Sequence, residues 1–196
     1  APINSCWRLP LSRSAGNPLF MEEMMRIVQE AARNNSHLNG EVLVNRIIEV
    51  IPVSLHELIQ SRIDRLDSRS RQVLQCASIL GLEFAFSLIE MFDVIRDGLI
   101  VHLQALRAMR YLEELPEPED VKYFFTHGLF RDVVYSTLLE EQKKRLHANL
   151  ARRLESVFAG RNLSEYHELL AFHFSRGGEA QKAVYYLTKA ADRQAG

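Results

Sequence analysis

His127 is the residue of this chain best placed for chemistry. It stands in "FFTHGLFRDVVY", Phe124 to Tyr135, where an apolar run turns into an amphipathic helical pattern. Phe124, Phe125 and Leu129 are expected to pack inward, and Thr126 can cap a helix beginning at His127. Neither role calls for an imidazole in the first turn, where the helix dipole disfavours imidazolium. A neutral imidazole pointing at a phosphate, or donating to one, uses that position well. The second segment is "RSAGNPLFMEEM", Arg13 to Met24. Asn17 is suited to accept hydrogen bonds from the first free backbone N–H groups, and Pro18 to occupy the first helical position. Glu22 and Glu23 are then expected near the positive end of the dipole. Capping accounts for these residues and leaves open whether the backbone around Gly16 also touches a ligand.

Other reactive arrangements are missing from the sequence. It contains no G-x-x-x-x-G-K-[ST] loop, so the chain does not cradle a nucleoside triphosphate by itself, and no H-E-x-x-H. In "HELLAFH", His167 and His173 are six residues apart. On a helix that is about 240° of rotation, so a shared metal is not expected. Nucleophile elbows and suggestively paired carboxylates are also absent. Cys6 and Cys76 lack metal-type spacing and read as reduced thiols of a cytoplasmic protein.

The bulk composition is that of an ordinary globular chain with a core. It has 196 residues, 47% hydrophobic and 25% charged, with a net charge of -1. Near-neutrality argues against a protein that wraps nucleic acid, although a local basic face remains open. No apolar run approaches the ~20 residues of a membrane span, and with no basic stretch ahead of an apolar core a secretory leader is not expected. The chain begins at Ala1 and stops at Gly196 just after a helical pattern, and so reads as a piece of something longer.

The elements that must position His127 and Pro18 are mostly helical. Phe20, Met24, Ile27, Val28 and Ala31 form one stripe, broken by Asn34-Asn35-Ser36 and Gly40. Leu55, Leu58, Ile59, Ile63 and Leu66 form a second, with Ser54 as N-cap; Asp67-Ser68 opens a third, closed by Gly81. A short helix near 86–92 and a longer one near 99–109 follow. "YLEEL" and "VKYFF" around "PEPED" then read as a β-hairpin, with Pro116 and Pro118 confined to its turn. Helices followed by a hairpin form a winged-helix pattern, taken from Ser54. Further stripes follow: Leu129, Val133, Val134 and Leu138; then Leu146, Leu150, Leu154, Val157 and Phe158, ending at Gly160. Ser164 to Gly196 fits a 34-residue helix-turn-helix repeat, with Leu170, Ala171 and Phe174 in one helix and Ala183 and Ala190 in the next, across Gly177-Gly178.

Three segments together resemble a family. "SAGNPLFMEEM", "PVSLHELIQSRIDRLDSRSRQVLQCASILGLEF" and "YFFTHGLFRDVVYSTLLEEQKKRLHANLARRLE" are similar to the C-terminal part of the signal-transducing ATPases with numerous domains. The branch is the one found behind cyclase catalytic domains and in large transcriptional activators. The resemblance spans Ser12 to Ala195. It implies a mainly α fold: a helical lid at 1–53, a winged-helix domain with one small β-hairpin at 54–139, a linker helix at 140–163 and a first TPR-like repeat at 164–196. It implies that Gly16, Asn17 and Pro18 form the nucleotide-facing Gly-x-Pro motif, with the proline against the adenine ring. His127 would reach the β-phosphate of ADP and lock a closed state. Thr126 replaces the family's Met and Gly128 its Asp, which removes that carboxylate from the latch.

The function so implied is regulatory. Lid and winged helix close over ADP or ATP, with Mg²⁺, held by an upstream nucleotide-binding domain of the same polypeptide, and relay its state to helical repeats. On this reading the chain is not an enzyme by itself and binds no cofactor alone. Its partners are that upstream domain, proteins docking on the repeats, and further copies if nucleotide exchange drives oligomers; membranes are not among them. An alternative is DNA binding through a helix carrying Arg96, His102, Gln104, Arg107 and Arg110, but "EELPEPED" makes the wing acidic where phosphates would lie. A second alternative is a repeat scaffold for proteins, in which the basic "KKRLHANLARR", Lys143 to Arg153, reads as a solvated helix face.

Overall fold

The computed structural model describes residues 18–34, 54–118, 120–158 and 163–195. Gly16 and Asn17 lie outside the described residues, as do the side chains of Met24, Ile27, Val28 and Ala31. The chain divides into two compact units, Ala1–Arg65 and Leu66–Gly196. The described architecture is mainly α with one small antiparallel sheet.

The first unit contains α1 (Pro18–Asn34) and α2 (Leu55–Asp64). α1 starts on Pro18, whose missing N–H costs nothing there, and ends where the Asn-Asn-Ser run begins. Ser54 caps α2, its hydroxyl accepting the Glu57 N–H at 3.2 Å. Phe20, Leu58, Ile59 and Ile63 are buried. The first turn of α1 holds no acidic residue, contrary to the dipole role expected for Glu22 and Glu23. Both fall one turn later, where the dipole's influence fades. Glu22 is exposed, whereas Glu23 is buried and accepts a hydrogen bond from the buried Arg62 guanidinium of α2. An ion pair thus holds Glu23.

In the second unit, Asp67 caps α3 (Ser68–Leu80), accepting the Arg69 and Ser70 N–H groups at 3.0 and 2.9 Å. Hydrogen bonds from Ser70 hold its carboxyl below the ordinary value. Val73, Leu74, Cys76, Ala77 and Ile79 are buried, and Gly81 ends the helix at φ 130°, where a side chain would be strained. The short helix expected near 86–92 is α4 (Phe86–Ile89), preceded by β1 (Glu83–Ala85) and followed by a 3-10 turn (Asp93–Ile95). The longer helix is α5 (Leu99–Ala108).

The hairpin is present as β2 (Leu112–Leu115) and β3 (Lys122–Phe125), pairing Leu112 with Phe125 and Leu115 with Lys122. β1 adds a third strand on the other edge of β3, pairing Glu83 with Phe124, in the order β1-β3-β2. Three residues are too few to show a period in sequence. Phe84 of β1 packs on Tyr123 and Phe125, with ring centroids 5.9 and 6.5 Å apart.

α6 (Gly128–Ser136), α7 (Glu140–Phe158), a 3-10 turn (Leu163–Tyr166), α8 (His167–Arg176) and α9 (Ala180–Ala195) complete the unit. α8 and α9 bury Leu170, Ala171, Phe174, Ala183 and Ala190 in the expected register, with Phe174 stacked on Tyr186 at 5.7 Å. Gly177 lets α8 close on α7, because a Cβ there would stand 2.9 Å from the Ala148 backbone. Of the residues expected inward here, Val157 is 46% exposed, and Leu129, Leu146 and Phe158 are only half-buried. Phe130, one residue after Leu129, fills the core instead. No described helix is long and apolar enough to cross a membrane.

Candidate functional site

α6 begins at Gly128, one residue later than expected, so His127 is itself the N-cap residue, in extended conformation at φ -143°, ψ 139°. Thr126 does not cap the helix. Its hydroxyl donates to the Arg110 carbonyl at 3.0 Å and its N–H to the Tyr111 carbonyl at 3.1 Å. Those bonds tie the end of β3 to the turn after α5, where Arg110 takes a left-handed φ of 58°. Thr126 is engaged there, and the His127 side chain makes no cap hydrogen bond to α6. Phe124, expected inward, is half-buried, whereas Phe125 is core.

The half-buried His127 ring leans on Phe130, 5.9 Å between centroids and tilted by 35°. Its nitrogens make no hydrogen bond to a described residue, so one acceptor and one donor remain available in the neutral form. The imidazole is presented beside the start of α6, where donors and the dipole favour an anion. Among the residues expected to meet nucleotide, Pro18 is the exposed first residue of α1 in the first unit, and His127 belongs to the second. Gly16 and Asn17 are outside the described residues.

The surface considered for DNA is largely turned to internal partners. Arg107 pairs with Glu114 of β2, Arg96 pairs with Asp93 at 2.8 Å, and His102 Nδ1 lies 3.0 Å from the Ser70 hydroxyl. Exposed Ile100 and Val101 share α5 with them.

Periodicity alone did not predict the pairing of His147 (α7) with His173 (α8). Their Nδ1 atoms are 2.7 Å apart, and the Tyr135 hydroxyl of α6 lies 3.3 Å from His147 Nε2. Both imidazoles are buried. Burial pushes both below the ordinary histidine value, helped by Arg176 and Arg131 at His147 and by His147 at His173. The pair is therefore neutral, one ring donating to the other. His173 Nε2 finds no partner among the described residues. His167 turns elsewhere, its ring 5.7 Å from Tyr186. Both paired histidines fall on the inward stripes of their helices, so their burial was legible, but a stripe does not say which residue it meets. Among the described residues, no three His, Cys, Asp or Glu side chains gather as a metal-binding group.

No family model matches this sequence, and no solved structure matches it. The chain is similar to an uncharacterized protein of Rhizobium meliloti (strain 1021), 25% identical over 179 residues that cover 87% of this chain. It spans only 16% of that relative's length.

Proposed function

We propose that this chain is the regulatory part of a nucleotide-dependent switch of the signal-transducing ATPase type. Its lid helix and a winged-helix domain would close over ADP or ATP held by an upstream domain of the same polypeptide and relay that state to helical repeats. The observation that carries the reading is His127, a half-buried imidazole with no hydrogen-bonding partner among the described residues, at the start of α6. Such a group fits a phosphate oxygen: one ring nitrogen can donate, and the adjacent first-turn N–H groups reinforce it. Pro18, exposed on α1, would lie against the adenine ring, with Gly16 and Asn17 completing the motif. The chain's residues would bind and orient the nucleotide, while the phosphate-binding loop and Mg²⁺ would belong to the upstream domain. Closed and open states would then differ in whether His127 meets phosphate, the differential contact that a ligand-driven switch requires. The helices and three-stranded sheet of the second unit are compatible with a winged helix, and the α8–α9 pair with a TPR-like repeat. The test is His127→Ala in the full-length protein: ADP should leave faster and basal activity should rise, and unchanged ADP retention would refute the latch.

A protein-binding scaffold is the second reading, favoured by one observation. α9 exposes Val184, Tyr185 and Leu187 at 62%, 56% and 56%, an apolar face of the kind that a further repeat or a partner covers. The ion-paired Arg96 and Arg107 and the acidic hairpin weigh against DNA. Pull-downs with the helical-repeat region of the longer protein separate an arm that binds from one that only transmits.

A further inference from the structure

The basic helix face from Lys143 to Arg153 is only partly a solvated surface. A cavity of 720 Å³ lies between α3, the Met91–Val94 turn, the end of α6 and one face of α7, all within the second unit. That volume is in the ~300–1,000 Å³ range of small-molecule sites. Gln142, Arg145, Leu146, Asn149, Arg152, Arg153 and Ser156 line it from α7. At 3.6 residues per turn these positions share about 120° of the helix, which explains how one segment supplies a whole wall.

The walls differ in chemistry. Met91, Phe92, Val94, Leu138 and Leu146 supply apolar surface, and the buried thiol of Cys76, pushed up to about 12 by burial, adds no charge. The charged lining is three arginines against Asp93, and the carboxylate of Asp93 is taken by Arg96 at 2.8 Å. Arg152 pairs with Glu179 at 2.7 Å. Arg145 and Arg153 have no carboxylate partner among the described residues, and the Asn149 amide has no hydrogen-bond partner among them. Gln142 accepts the Leu139 N–H through its oxygen at 2.9 Å, leaving its NH₂ to donate. The site thus carries an excess of positive charge over carboxylate, beside low-dielectric walls that strengthen attraction for an anion.

We infer that this cavity is a binding site for a small organic anion with an apolar body, such as an aliphatic or aryl carboxylate. The anionic group meets Arg145 or Arg153, about 12 Å apart along α7, and the apolar body lies on Phe92, Leu138 and Leu146. The site is independent of any nucleotide held upstream, so it stands or falls separately from the switch.

The test is fluorescence titration of the full chain with 8-anilinonaphthalene-1-sulfonate, an aromatic anion of this kind, followed by displacement with decanoate. One saturable site is expected, weakened by salt. Arg145→Glu/Arg153→Glu should weaken it by roughly tenfold or more, since both charge-assisted contacts are reversed. Lys144→Glu/Lys189→Glu removes the same charge outside the cavity and should change affinity less than about twofold. Both variants alter exposed side chains, and an unchanged circular dichroism spectrum and melting curve verify the fold; Arg145→Gln/Arg153→Gln replaces the first pair if it fails to fold. Equal affinity in the cavity variant, equal losses in the two variants, or equal binding of neutral N-phenyl-1-naphthylamine would each overturn the inference. Tighter displacement by a Glu- and Leu-containing peptide than by decanoate would overturn the assignment to a small molecule.

Discussion

A buried charge is stable only with its partner in place, and Glu23 is the clearest case in this molecule. Its carboxylate and the Arg62 guanidinium are both buried and joined by a hydrogen bond, with Arg26 3.9 Å away. Glu23→Ala would remove the carboxylate that accepts from the buried Arg62 guanidinium, and a loss of about 3 kcal/mol is expected in urea unfolding of the first unit. Replacing both residues with apolar ones, Glu23→Met/Arg62→Leu, should recover most of it, because the desolvation cost of both ions disappears together. His127→Ala is the contrasting case. Among the described residues its ring makes one aromatic contact and no hydrogen bond, so the same urea assay on this chain should show a change within about 0.5 kcal/mol. A phosphate-facing residue and a structural one separate cleanly here: the first alters nucleotide retention, the second alters unfolding.

Among elements, the docking of α8 on α7 depends on a missing side chain. A Cβ at Gly177 would meet the Cα, Cβ and N of Ala148 at 2.9 Å, all of them rigid backbone or its first side-chain atom. Gly177→Ala should therefore destabilise by about 1–3 kcal/mol, through overpacking rather than lost contacts, and lower the thermal midpoint of the second unit. Asp67 gives a smaller, local prediction. Asp67→Ala removes the acceptor for the Arg69 and Ser70 N–H groups and should lower the urea midpoint of the second unit. That loss should shrink in acid, because the capping hydrogen bonds hold the carboxyl pKa below its unfolded value. Their contribution is present above that unfolded value and vanishes as pH falls through the folded one. Caps of this kind were readable from Ser54 and Asp67, since a short acceptor before an apolar period has one local use. The cap of α6 was misread because Thr126 has a competing long-range acceptor, the Arg110 carbonyl, which no local pattern announces.

For the whole molecule, acid is the informative variable. His147 and His173 are neutral in the fold, with pKa values depressed by burial below the ordinary histidine value of about 6.5. A depressed histidine favours the folded state fully above its unfolded pKa. Below that, the unfolded chain takes up protons that the fold refuses. Stability should therefore fall as pH drops below about 6.5, by up to ~1.4 kcal/mol per unit for each histidine. His173→Gln should flatten the slope measured by urea titrations between pH 7 and 5. The same pair marks the boundary of what a sequence reading reaches. By itself the amino-acid order determined the mainly helical class, most helix limits, the hairpin and the register of α8 on α9, because periodicity and capping are local consequences of residue type. It also singled out His127 as a histidine that packing does not require. Only the tertiary structure decided that β1 completes the sheet, that Glu23 serves Arg62 rather than a dipole, and that His173 meets His147. It likewise decided that the arginines of α7 line a cavity. Each of those depends on which surfaces meet across long stretches of chain, and burial sets their energies: a period identifies an inward face, and only packing determines what lies opposite.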